Sequence, residues 1–297
     1  MIAQSGSKQR KKPYLFLVIP LSILAIVAFV PLIYALYIAT HSIILTAPQL
    51  GRPFVGLENF VRVLTMPRSI NAFLVTFQLL LMSVGTAVIL GVAMAVLIYN
   101  NFRAKAWMAV LLVLPMAIPK VVSALVWNIL YNPLIGVINF SLESVGLPAV
   151  NWLADSDIAL ISIALVDVWQ WTPFIILIVL AGLEAVPGNF YEAAELEGAT
   201  AWQVFWQITL PIIRPFITVA VIFRAIEALR TFDYVFILTK GGPGTATETV
   251  DVFAYNIGIA ETGDISTATA AALLLLIITI IGATIWVKSM RWGEEIY

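Results

Sequence analysis

Six long apolar stretches limit what this chain can fold into. Residues 14–38, 72–98, 107–131, 158–183, 212–238 and 266–288 each hold enough apolar side chains to cross a bilayer core, which takes about 20 residues of helix. A backbone in lipid must satisfy its own polar groups, which leaves helices or a closed barrel. The stretches lack the period-2 alternation of barrel strands. The predicted fold class is therefore an all-α membrane protein with six transmembrane helices. Composition agrees, since 61% of the 297 residues are hydrophobic and only 11% are charged. A soluble domain carries roughly 25% charged residues to cover its surface, and this chain has too few. A net charge of -1 gives no footprint for nucleic acid. Without cysteine there are no disulfides, thiolate metal sites or cysteine nucleophiles. His41, the single histidine, cannot build a histidine metal cluster.

Lys8, Arg10, Lys11 and Lys12 precede the first stretch as in a secretory signal, but the run from Tyr14 to about Ala39 exceeds a signal core of ~7–15 residues. It reads as a retained first span, bent near Pro20 and Pro31. Residues 1–12 read as a basic tail and 13–297 as one membrane domain. With the N-terminus inside, nine Lys and Arg face the cytoplasm and four face out (Arg52, Arg62, Arg68 and Lys240), which favours both termini being cytoplasmic. The first outer loop, with three arginines, fits poorly. Segment 132–157 has no Lys or Arg and fits well.

Ser83, Ala87, Gly91 and Ala95 recur every four residues on the second span, a small-residue stripe that lets another helix approach closely. Between spans 4 and 5, residues 186–211 read as two short helices joined by a bend. Asn189 with Glu192 is a candidate capping box, as is Thr200 with Gln203. Gly198 suits the left-handed residue that ends a helix, and Pro211 and Pro215 are expected to close the segment before span 5. Phe190, Tyr191, Leu196, Trp202, Phe205 and Trp206 make this loop apolar, while Glu192, Glu195 and Glu197 mark it with charge. An exposed apolar knob suggests docking to another protein. An interfacial helix lying on lipid would carry Lys and Arg on its polar face, and this one is acidic.

Span 5 carries Arg224, Glu227, Arg230 and Asp233 at steps of three, so each charge is expected to have an opposite neighbour about one turn away. Charges in lipid cost about 2.5–3.5 kcal/mol each near a helix centre. The set reads either as a polar strip lining a solute pathway or as a structural ion-pair ladder. Lys120 and Asp167 are two more intramembrane ionisable groups and candidates for a mutual pair. Trp127, Asn128, Tyr131, Trp169, Gln170 and Trp171 lie nearby in the chain and offer the rings and amides that a sugar requires. Trp and Tyr at span ends also serve as interface belts. Gly241 to Gly244 is not a phosphate loop, since no Gly-Lys-Ser/Thr follows, and it reads as the turn of an outer loop.

Glu192-Ala193-Ala194, then Gly198, then Ile208, Leu210 and Pro211, resembles the EAA loop of binding-protein-dependent ABC importer permeases. Glu197 stands where carbohydrate members usually have Asp. Ala181 to Pro187, Phe232 to Thr249, and Trp127, Pro133, Gly136 and Asn139 are similar to sugar permeases of the MalF and UgpA type. The resemblance implies that the loop between helices 4 and 5 is a cytoplasmic coupling helix, in which Glu192, Ala193, Ala194 and Gly198 meet an ATPase. It implies a bacterial inner-membrane subunit that binds no cofactor itself, with ATP and Mg used by two partner ATP-binding-cassette subunits. A second, similar permease and an extracytoplasmic solute-binding protein complete the assembly. Lys120, Trp127, Asn128, Asp167, Trp169, Arg224, Glu227, Arg230 and Asp233 are the candidate pathway residues. An ion-coupled secondary carrier using Asp167, Glu227 or Asp233 is the alternative. A membrane enzyme would call for clustered carboxylates at a membrane face, which the loop lacks.

Overall fold

The computed structural model describes residues 13–100 and 112–291. The basic tail, Arg103, Lys105 and the start of the third apolar stretch lie outside the described residues. In chain order the helices are α1 (Pro13–Thr40), α2 (Glu58–Thr65), α3 (Pro67–Asn100), α4 (Lys120–Leu130), α5 (Val137–Ser144) and α6 (Ala159–Glu184). They continue with α7 (Asn189–Leu196), α8 (Ala201–Ala228), α9 (Phe232–Leu238), α10 (Val250–Ala260) and α11 (Ile265–Arg291). Among the described residues, five of these are long and apolar enough to cross a membrane: α1, α3, α6, α8 and α11.

The centre of the bundle is α3 packed along α6, with α8 against both. The small-residue stripe of α3 makes this possible. Ala87 and Ala95 are fully buried, and a Cβ on Gly91 would come within 2.6 Å of the Ile175 side chain. The stripe is thus a packing surface, as its spacing predicts. By contrast α1 runs unbroken through Pro20 and Pro31, and most of its apolar side chains, from Leu17 to Tyr37, are exposed. Its outer surface is suited to lipid.

Two of the six predicted spans are not continuous helices. Residues 112–117 are helical, the chain breaks at Ile118 and Pro119, and α4 restarts at Lys120. Proline supplies no N–H and drives the residue before it out of the helical region. The fifth predicted span, 212–238, also fails as one helix. Its helix α8 stops at Ala228, Leu229 to Thr231 form a break, and α9 resumes at Phe232. The Thr231 hydroxyl donates to the Ala228 carbonyl (2.8 Å). Both breaks abut the middle of α6. Gln170 on α6 donates to the Ile118 carbonyl and accepts from the Tyr234 hydroxyl of α9, which satisfies backbone polarity that a broken helix would otherwise leave in an apolar setting.

The segment between α6 and α8 is bent as predicted, with three corrections. Helix α7 begins with Gly188 as its N-cap, and Asn189 makes no capping bond. Phe190 N–H donates to Pro187 O, and Tyr191 and Glu192 N–H to Gly188 O, so the Pro-Gly turn starts the helix before Asn189 can cap it. The second helix is not short, since it continues through Ala228 as α8. Pro211 and Pro215 do not close it. A π-helical turn at Phe205–Thr209 precedes Pro211, and the wider turn accommodates a ring that lacks an N–H. The Thr200–Gln203 capping box is present in both directions.

The loops at one end of the bundle are knitted together. Asn59, almost fully buried, donates to the carbonyls of Ala39 and His41 at the end of α1. His41 Nδ1 donates to the Tyr37 carbonyl (2.7 Å), a loop role. Arg68 grips Glu248 through two bonds (2.7 and 2.8 Å) and Glu261 through two more (2.6 and 2.8 Å). Arg62 bridges Glu58 and Asp264. Two of the three arginines that fitted an outer loop poorly are therefore charge-paired.

Candidate functional site

Two places gather the predicted residues. The first lies where the two broken spans meet α6. Asp167 of α6 pairs with Arg224 of α8, and Ser83 of α3 donates to the same carboxylate oxygen. Arg224 also donates to the Ser83 hydroxyl (3.1 Å). Both members of the pair are 1% exposed. Asp167 Oδ1 and Arg224 Nε and Nη1 have no hydrogen-bond partner among the described residues.

Lys120 pairs with Glu227, not with Asp167. This correction follows from the break at Pro119, which puts Lys120 in the first turn of α4 and faces it to α8. The expected Arg224–Glu227–Arg230–Asp233 ladder does not form either. Helix α8 ends before Arg230, and the charges on α8 find their partners on neighbouring elements. The Lys120–Glu227 pair is more open than the buried one, with side chains 17% and 40% exposed. Lys120 Nζ and the Arg224 guanidinium both lie over the Trp171 ring, 5.6 and 5.2 Å from its centroid, within cation–π reach. Arg230 is exposed and Asp233 half-buried. Trp127 and Trp169 meet edge to face at 5.6 Å, and Asn128 opens onto a separate cleft at the far end of α4.

Sequence reading grouped Gln170 and Trp171 with the nearby rings and amides without giving them partners, and it lacked Ser83 and Tyr234 as members of this site. Gln170 and Trp171 stand beside Trp169 in an otherwise apolar run, and an amide in mid-span is itself a signal, because lipid leaves it nothing to bond. Nothing local marks Tyr234.

The second place is the elbow. Glu192, Ala193 and Gly198 are exposed, and Ala194 is turned inward at 5% exposure. Gly198 has φ +73°. Ala199 N–H donates to Ala194 O and Gly198 N–H to Glu195 O, the two bonds of a Schellman end. Leu196 (90% exposed), Trp202 (70%), Trp206 (49%) and Phe190 (46%) surround the acidic face. Trp202, Phe205 and Trp206 brace one another at 5.3–6.4 Å. The result is a fixed, largely apolar projection that this chain does not cover.

Comparison with known proteins gives a consistent answer. The family described as "Binding-protein-dependent transport system inner membrane component" matches residues 87–290. The trehalose/maltose transport system permease protein of Thermococcus litoralis is 33% identical over 288 residues, 97% of this chain and 96% of that protein. A probable ABC transporter permease of Sinorhizobium fredii is 37% identical over 267 residues, 89% and 86% of the two chains. Among solved structures, a bacterial ABC transporter involved in the import of the acidic polysaccharide alginate superposes with a TM-score of 0.80 at 22% identity, covering 94% of both chains, a likeness of fold.

Proposed function

The chain belongs to the family of inner membrane components of binding-protein-dependent transport systems and is a permease subunit of an ABC importer; from that premise we infer that it passes a sugar or related polar solute and is driven through its elbow by a separate ATPase. The carrying observation is the elbow: exposed Glu192, Ala193 and Gly198 ringed by uncovered Leu196 and Trp202. A surface of that kind in water calls for a protein partner. Glu192, Ala193 and Gly198 are the contact residues, and buried Ala194 sets their angle. On this reading the elbow and both termini are cytoplasmic.

The solute class rests on two supports. The Thermococcus litoralis relative is named for trehalose and maltose transport. In this chain Trp127 and Trp169 meet edge to face, and Trp171 lies against Lys120 of the half-open Lys120–Glu227 pair, a set of rings and charges that suits hydroxyls and a flat C–H face. Trp127, Trp169, Lys120 and Glu227 would line the pathway together with a second permease, while buried Asp167 and Arg224 hold the helices that frame it. Arg230 and Asp233 stand at its edge. An ion-coupled carrier needs an available carboxylate; Asp167 and Glu227 are both engaged by cations, which leaves only half-buried Asp233 of the three candidates for that role.

The test is uptake of labelled trehalose and maltose by proteoliposomes holding this chain, its partner permease, the ATPase and the solute-binding protein. Uptake should require ATP and the ATPase. Uptake sustained by a proton or sodium gradient without ATP would overturn the reading.

A further inference from the structure

At the end of α4 remote from the elbow, the structure holds a cleft of about 120 Å3. Asn128, Tyr131 and Asn132 form one side, and Asn151 and Trp152 the other, with no charged residue in its lining among the described residues. Its walls are fixed. Tyr131 is 2% exposed, and its hydroxyl donates to the Ser162 carbonyl (3.0 Å). The Trp152 indole N–H donates to Asn139 Oδ1 (2.8 Å). That buried amide also holds both the N–H and the carbonyl of Val150 (3.2 and 3.0 Å). The two rings lie 5.5 Å apart at 31°.

The three amides facing these rings are not used up. Asn132 spends its oxygen on the N–H groups of Leu134 and Ile135 (2.9 and 3.2 Å), which leaves its NH2 unengaged. Asn128 and Asn151 make no side-chain hydrogen bond among the described residues. Asn139 shows what a structural amide looks like in this fold: buried, with both ends bonded. Asn128 and Asn151 are neither.

We propose that this cleft is a receiving subsite for one neutral sugar ring, reached before the mid-membrane pathway. Neutral donors and acceptors beside the half-buried Trp152 ring match ring hydroxyls and an apolar C–H face, and the uncharged lining gives nothing to select an acid or a base. The volume is room for several waters, which suits one edge of a single ring rather than a disaccharide. From the cleft, Trp152, Tyr131, Trp127 and Trp169 form an unbroken series of ring contacts at 5.5, 5.2 and 5.6 Å.

The proposal rests on the carbohydrate-importer reading, and the experiment separates the two. The assembled transporter in lipid nanodiscs is titrated with methyl α-D-glucopyranoside and read by saturation-transfer difference NMR, with glucuronate as the charged comparison. Ring-proton signals are expected for the glucoside and at least fivefold weaker ones for glucuronate. Asn151→Leu and, independently, Asn151→Ala should reduce the glucoside signal at least fivefold; this residue is exposed, so neither change disturbs a core. Stimulation of ATP hydrolysis by the solute-binding protein, measured on the same sample, reports the importer reading. Normal stimulation with no glucoside signal, or with a signal unchanged in both Asn151 variants, overturns the subsite alone. Absence of stimulation overturns the importer reading, and the subsite with it.

Discussion

Gln170 accepts the Tyr234 hydroxyl, and the other end of the same carboxamide donates to the carbonyl freed at the break before Pro119. One side chain on α6 therefore fixes both interrupted helices, one on each side. Interrupted helices at membrane depth are tolerated where they are buried in protein or line a water-filled cavity. The glutamine supplies the hydrogen bonding that permits such a place, and the half-open Lys120–Glu227 pair lies beside it.

Gln170→Leu removes both bonds at nearly constant volume. Bonds of this type within membranes are worth roughly 0.6–1.7 kcal/mol each, so a loss of about 1–3 kcal/mol is expected. The detergent-solubilised transporter should unfold several degrees lower. Uptake should fall further than the loss of folded protein explains, because both breaks are released. An unchanged melting temperature would show that the glutamine bridges nothing of consequence.

The Asp167–Arg224 pair calls for a different outcome. Both groups are buried, and three of their polar atoms lack partners, so the pair is costly to bury and more costly to break. Removing one partner of such a pair destabilises by about 3–5 kcal/mol, whereas replacing both with apolar residues is often neutral or better. Asp167→Ala should therefore abolish assembly, measured as co-purification with the partner subunits. The double variant Asp167→Leu, Arg224→Met should restore it. If the double variant assembles no better than the single, the charges themselves are required.

Glu227 should behave otherwise, since its pair is partly open. Glu227→Gln keeps the size and one acceptor, so assembly should be normal. Uptake should drop roughly tenfold, equivalent to about 1.4 kcal/mol. Failed assembly would place Glu227 among the structural groups with Asp167.

The contrast between these residues explains what could be read from the chain alone. Apolar runs report compatibility with lipid, and they located every long helix among the described residues. They say nothing about backbone continuity, because a broken helix buried in a bundle is as apolar as a straight one. Pro119 marks one break, but the apolar run 107–131 reads straight through it. Leu229, Arg230 and Thr231 contain no glycine or proline, and the second break depends on tertiary contacts such as Tyr234 with Gln170. The charges at steps of three misled for the same reason. Spacing gives neighbours within a helix, but Arg224 and Glu227 are satisfied across helices by Asp167 and Lys120. Capping was legible where it was local, at Thr200 with Gln203, and missed at Asn189, where the preceding Pro-Gly turn had already started the helix.

The Arg68 staple yields a dependence on pH. Hydrogen bonds from Arg68 hold the Glu261 carboxyl below the usual carboxylate range. A group lowered on folding stabilises the protein above its unfolded value, and that contribution is lost as pH falls through the lowered one. Glu261→Gln, which cannot ionise, lacks it at every pH. The gap in melting temperature between wild type and Glu261→Gln should thus be widest near neutrality and close progressively in acid. A gap that is constant with pH would mean that Arg68 does not depend on the charge of Glu261.

Gly198 permits a cleaner test of the elbow than any charged residue there. Its φ of +73° is a conformation that side chains adopt at a cost, yet a Cβ built on it would meet nothing within 4 Å. Steric and conformational effects therefore separate. Gly198→Ala should carry only the backbone penalty, about 1–2 kcal/mol, and much of the uptake should survive. Gly198→Trp carries a similar penalty, and its bulk projects into space that this chain leaves empty. Any further loss must come from something outside the chain that needs that space. Membrane insertion of Gly198→Trp should match that of Gly198→Ala, while uptake and the association of the ATPase are lost. Equal uptake by the two variants would mean that no partner sits against this bend, and the drive would have to enter the permease elsewhere.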